Sequence, residues 1–168
     1  MPVAEEIYDP VQRYHVNLRS EGENLIVDTR VEPGGGVPTH AHPKSEEDFS
    51  VQEGQVAFRV GKRKQVLGPG DEIVVPAGTK HSFRNRSDTE ARFRAELRPG
   101  LNAVGFFEET AAMAREGMIT RSGLPTSFRA VKRGAEILDR FRDVAVVYNP
   151  PRFVQRALIA LLVRSPSA

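Results

Sequence analysis

Between Arg13 and Leu97 the chain is a succession of short segments that alternate apolar and polar residues, most of them closed by turn residues. Tyr14, Val16 and Leu18 share one face of the first segment, and Leu25 to Val31 alternates again after Glu21-Gly22-Glu23. Glu47, Phe49 and Val51 alternate with Asp48, Ser50 and Gln52, and Val56, Phe58 and Val60 with Gln55, Ala57 and Arg59. Gly61-Lys62-Arg63-Lys64 reads as a hairpin tip, and Pro69-Gly70-Asp71 as a turn before Ile73-Val74-Val75. Ala91 to Leu97 closes the set and Arg98-Pro99-Gly100 ends it. Successive strand residues point to opposite faces, so each segment has one face to bury. Many short strands of this kind predict an antiparallel β-barrel or jelly roll.

All four histidines fall inside this region, and three of them, His40, His42 and His81, sit in patterns suited to a metal. His40 and His42 are two apart, so on an extended strand both rings point the same way. Glu47 follows after Pro43, and His81 arrives on a later strand, sharing a face with Phe83 and Asn85. Three neutral imidazoles and one carboxylate suit a divalent transition metal such as Fe, Ni, Mn, Cu or Zn. Glu47 can stay a ligand or swing off to take a proton from a bound hydroxyl, which makes it the candidate catalytic residue. Glu46 has the wrong parity for this face. Asn85 is expected to brace a turn or the ligands, since amides bind such metals weakly. Phe49, Phe58, Phe83, Val51 and Val60 are expected to line the interior. Arg59, Arg92, Arg94 and His15 are expected outside it.

Gly34-(x5)-His40-x-His42-(x4)-Glu47-(x6)-Gly54 resembles the first motif of the cupin superfamily, and Gly70-(x5)-Pro76-x-Gly78-(x2)-His81-(x3)-Asn85 resembles the second. The resemblance implies a compact single-domain cupin barrel over residues 1–100, with metal held by His40, His42, Glu47 and His81. It also implies a homodimer, because cupins commonly pair through edge strands. It does not choose a reaction, since the fold hosts many chemistries. An oxygenase of the quercetin dioxygenase-like type, acting on a small enolic or phenolic substrate, leads the reading. A redox-neutral isomerase, epimerase or decarboxylase and a non-catalytic small-molecule binding module are the alternatives.

The chain changes character after residue 100. Phe106 to Glu116 has helical spacing and Gly117 stops it; Ser127 can cap a helix running to about Arg142; Pro150-Pro151 starts a last helix, Arg152 to Val163. Residues 101–168 are therefore expected to be a helical extension packed on the barrel or on a dimer partner. Residues 1–12 are expected to be a loosely ordered arm. The net charge of +2 gives no case for nucleic acid. The absence of cysteine excludes disulfides and thiolate ligands. No apolar run is long enough to span a bilayer. The acidic start, Met1-Pro2-Val3-Ala4-Glu5-Glu6, does not look like a signal peptide, so a cytoplasmic location is expected.

Overall fold

The alternating segments become strands that pair antiparallel throughout. In the computed structural model, which describes residues 6–163, they are β1 (Ile7–Asp9), β2 (Tyr14–Glu21), β3 (Asn24–Val31), β4 (Gly36–Ala41), β5 (Glu46–Glu53), β6 (Val56–Val60), β7 (Arg63–Leu67), β8 (Glu72–Val75), β9 (His81–Arg84), β10 (Ala91–Arg98) and β11 (Val146–Val147). One sheet has the order β1-β2-β3-β10-β5-β8 and the other β11-β4-β9-β6-β7. The fold is a jelly roll of two facing sheets. Their hydrogen-bonded ladders stop at β1 and β8 in one sheet and at β11 and β7 in the other, so the ring is not closed.

The inward residues of the two sheets meet in an aromatic cluster. Phe49 on β5 lies 4.9 Å from Phe58 on β6, and Phe83 on β9 lies 5.0 Å from Phe93 on β10, measured between ring centroids. Each such contact crosses from one sheet to the other. Tilted and edge-on aromatic pairs contribute roughly 0.5–1.5 kcal/mol each beyond the area they bury. Val51 is buried beside them and Val60 packs against the cluster from a partly exposed position.

Two glycines set how closely the chain can approach itself. Gly36 has φ +154°, and a Cβ there would meet the Phe83 carbonyl oxygen at 2.3 Å. Gly54 has φ +71°, and a Cβ there would meet the Glu90 carbonyl oxygen at 2.7 Å. Only glycine admits these contacts with that backbone.

The C-terminal part forms α1 (Ala103–Arg115), α2 (Phe128–Arg140) and α3 (Arg152–Leu162). The Ser127 side chain accepts from the Ala130 N–H and caps α2, as its sequence position implies. Met113, Ala130, Ile137, Phe141 and Val144 join the same hydrophobic cluster as the strands. Among the described residues no helix is long and apolar enough to cross a membrane.

Three local expectations are corrected. The segment read as an arm supplies β1, which pairs with β2 (residues 1–5 lie outside the described residues). The hairpin tip is Gly61-Lys62, because Arg63 and Lys64 already belong to β7. The segment after α2 supplies β11, which pairs with β4.

Asp9 ends β1. Its Oδ1 accepts from the Val11 and Gln12 N–H groups, while Oδ2 is buried and finds no partner among the described residues. Burial raises its pKa above the ordinary carboxylate value, against the two backbone hydrogen bonds that lower it. The folded state thus holds this proton more tightly than the unfolded chain. That stabilisation is complete below the unfolded pKa and is lost as pH rises through the folded one. Asp9→Asn keeps the Oδ1 acceptor and removes the charge. Its Tm relative to the native chain is expected to rise between acid and neutral pH in thermal unfolding. A difference that stays flat or falls would show that the carboxyl is not destabilised by burial.

Candidate metal centre

β4 and β9 bring the first two ligand candidates face to face, because His40 and His81 are register partners. Their ring centroids lie 4.1 Å apart. His42 follows directly after β4, and its carbonyl accepts from the Gly78 N–H at 2.8 Å, which ties the two motifs together. Glu47 comes from β5 in the other sheet and points inward with Phe49 and Val51. One donor atom from each of His40, His42, Glu47 and His81 lies within 4.8 Å of all the others. Metal–ligand bonds of about 2.1 Å place donor atoms about 3–4.2 Å apart on an octahedron, so small side-chain movements accommodate an ion.

The ring orientations are set by backbone carbonyls. Nδ1 of His40 donates to the Pro38 oxygen at 3.0 Å, Nδ1 of His42 to the Val144 oxygen at 2.7 Å, and Nδ1 of His81 to the Thr79 oxygen at 2.9 Å. A carbonyl can only accept, so Nδ1 carries the proton in each ring and Nε2 is left as a lone pair. Glu47 Oε2 stands 2.8 Å from Nε2 of His81 and 3.4 Å from Nε2 of His42. These are buried acceptors facing one another with no donor between them. A shared proton relieves the conflict in part. A divalent cation relieves it for all of them.

The electrostatics favour that shared proton between Glu47 and His42. Burial pushes the Glu47 carboxyl up, but the His42 and His81 imidazoles outweigh it and hold it well below the usual carboxylate range. Burial lowers His42, and the Glu47 carboxylate more than reverses that, leaving it raised. His40 is lowered to about 3, first by desolvation and then by the rings of His81 and His42, so it stays neutral. The centre opens on a cavity of about 1450 Å³, walled by Phe49, Phe58, Phe83 and Phe93 from the sheets and by Phe106 and Val144 from the C-terminal part.

Other polar residues singled out in the sequence lie elsewhere. Glu46 faces outward to Arg98. His15 lies between Glu6 and Glu32 and stacks on Tyr8. Arg92 and Arg94 pair with Glu90 and Asp28 on the outer face. Asn85 is fully buried, at 0% exposure, but is spent on the backbone. It donates to the Val31 and Thr89 carbonyls and accepts from Ser87, while its own N–H and C=O meet Gly35 and Gly34. It braces the turn between β9 and β10 and ties it to the start of the first motif. Sequence reasoning missed Val144. The short apolar run Val144-Ala145-Val146-Val147 hinted at a strand, but a main-chain acceptor leaves no side-chain signature.

A family model described as a cupin domain matches residues 27–97. Protein SchB of Streptomyces halstedii is 34% identical over 95 residues, which are 54% of this chain and 68% of that protein. Polyketide synthase CurC of Streptomyces cyaneus is 34% identical over 67 residues, 40% of this chain and 44% of that protein. Quercetin 2,3-dioxygenase of Bacillus subtilis is 32% identical over 65 residues, 39% of this chain and only 19% of that protein. Among solved structures, TT1209 from Thermus thermophilus aligns with a TM-score of 0.50 at 28% identity, covering 54% of this chain and 86% of that one.

Because Asn85 satisfies the backbone rather than the cluster, Asn85→Ala is expected to cost on the order of 3 kcal/mol of stability in denaturant unfolding. Its metal capacity, measured on the folded fraction, is expected to be unchanged. Loss of metal with intact stability would place Asn85 among the ligands.

Proposed function

The chain belongs to the cupin superfamily, and we propose that it is a metal-dependent oxygenase acting on a small enolic or phenolic substrate. His40, His42, Glu47 and His81 hold one divalent ion of Fe, Ni, Mn, Cu or Zn. The observation that carries this reading is the set of converging acceptors, Glu47 Oε2 against two imidazole lone pairs, at the end of an apolar cavity. Quercetin 2,3-dioxygenase, of which this chain matches 19%, supports an oxygen-using reaction on a phenolic compound.

The bound metal supplies Lewis-acid and redox chemistry to a substrate oxygen. The protein does the rest. The phenylalanine wall packs the flat, apolar body of the substrate and keeps water out, which strengthens every electrostatic contact inside. Glu47 takes the proton of the enolic or phenolic hydroxyl on a carboxylate oxygen left free of the metal. The backbone carbonyls at Pro38, Val144 and Thr79 keep the three rings from turning during the reaction. On this reading residues 1–100 are the catalytic jelly roll and 101–168 the wall that completes its cavity. The protein works in the cytoplasm as a homodimer. Exposed Phe153 on α3, at 75% exposure, offers apolar surface to a second copy.

Protein purified without a tag or added metal is expected to carry near-stoichiometric Fe, Ni or Cu by elemental analysis. It is expected to consume oxygen with members of a phenolic and enolic panel. His42→Ala is expected to lose most of that metal while keeping its circular dichroism. Unchanged metal in that variant would put the site elsewhere. Turnover without oxygen uptake would replace the oxygenase with a redox-neutral enzyme.

A further inference from the structure

The three histidines are not held in the same way. His40 and His81 each donate Nδ1–H to a carbonyl two residues earlier in their own segment. These bonds form wherever the motifs fold. His42 instead donates across 102 positions to Val144, in a buried bond of 2.7 Å. Its tautomer depends on a part of the chain outside both motifs.

The placement of Val144 is itself built. Val144 and Ala145 end the turn after α2, with both N–H groups on the Phe141 carbonyl. β11 then runs beside β4, with Val146 opposite Ala41 and Val147 opposite His40. From the far side Gln155 reaches back, its Nε2 donating to the Val147 oxygen at 2.9 Å and to the Pro150 oxygen at 2.6 Å. Gln155 is the buried residue of α3, which otherwise lies against the surface. A buried carboxamide on a mostly apolar helix, with its N–H groups on two carbonyls of one loop, is a pin. The connected path is Gln155, the β11 backbone, Val144, the His42 ring.

We infer that residues 144–147, pinned by Gln155, are a positioning element for His42, so that docking of the C-terminal part and loading of the metal are coupled. The inference rests on the metal-centre reading above. With Val144 in place, His42 presents Nε2 to the centre. With the segment displaced, the buried Nδ1–H loses its acceptor and the ring divides between tautomers and rotamers. The coupling is reciprocal: whatever factor docking adds to metal affinity, metal adds to docking. Gln155 touches no reacting atom and acts only through this chain of contacts.

The test uses the full chain and Co²⁺ as the probe. Gln155→Leu keeps the volume and removes the donor. It is expected to lower Co²⁺ affinity about tenfold, the usual effect of losing a ligand's outer partner. In the metal-free protein, at a pH where the His42 ring is neutral, its ¹⁵N NMR is expected to change from a single Nδ1–H tautomer to a mixture, while His81 stays unchanged. A backbone ester between Val144 and Ala145, which weakens the Val144 carbonyl as an acceptor, is expected to act in the same direction. Arg156→Gln, on the exposed face of the same helix, is expected to do neither. In the native chain Co²⁺ is expected to slow hydrogen exchange at Val146 and Val147. If both the Gln155 variant and the ester keep the His42 tautomer and stay within about twofold of native affinity, the positioning role is overturned. If the native chain binds no Co²⁺, the metal-centre reading fails, and the His42 tautomer in the two variants still decides this one.

Discussion

The pairing of β4 with β9 carries the rest of the structure. It sets His40 opposite His81 and presses Gly36 against the backbone of Phe83 and Arg84. A slip of one residue along this ladder would turn the histidines toward solvent, because strand side chains alternate with period two. The glycine contact and the hydrogen bonds between Gly34, Gly35 and Asn85 hold the two motifs in one register. The site is thus specified first by backbone fit and only then by side-chain chemistry.

That register places an electrostatic problem inside a hydrophobic one. Glu47 reaches the imidazoles from the opposite sheet, so the centre spans the gap that the phenylalanines fill. A buried carboxylate is costly unless opposite charge or strong donors meet it. The three carbonyl-bound rings cannot offer donors without giving up their ligand tautomer. As protein alone the centre is therefore balanced by a proton shared between His42 and Glu47, which a divalent ion would replace. The same aromatic wall that desolvates these charges also lines the cavity on which they open.

Most of this was legible from residue order. The spacing of His40, His42, Glu47 and His81 singled out four side chains that converge in space, and the alternation from Tyr14 to Leu97 described strands that form as read. The interior positions of Phe49, Phe58 and Phe83 followed from parity. The edges were harder. β7, Arg-Lys-Gln-Val-Leu, lies at the end of a sheet and is held by main-chain bonds to β6 alone, so its side chains need not alternate. β1 and β11 are too short to show a period. The role of Val144 had no signal at all, because any residue could supply that carbonyl.

The 102-position span between His42 and its acceptor also bears on how the protein is made. Local pairings such as β2 with β3 and β6 with β7 can form as soon as their hairpins are synthesised, whereas contacts between distant segments wait for the later one. The two motifs, with their own glycine frames, can therefore close into a jelly roll while residues 144–147 have yet to be translated. At that stage His42 lacks its acceptor. On the proposed reading, a chain not yet translated through β11 would present an unfinished ion site, and metal capture would fall late in biosynthesis.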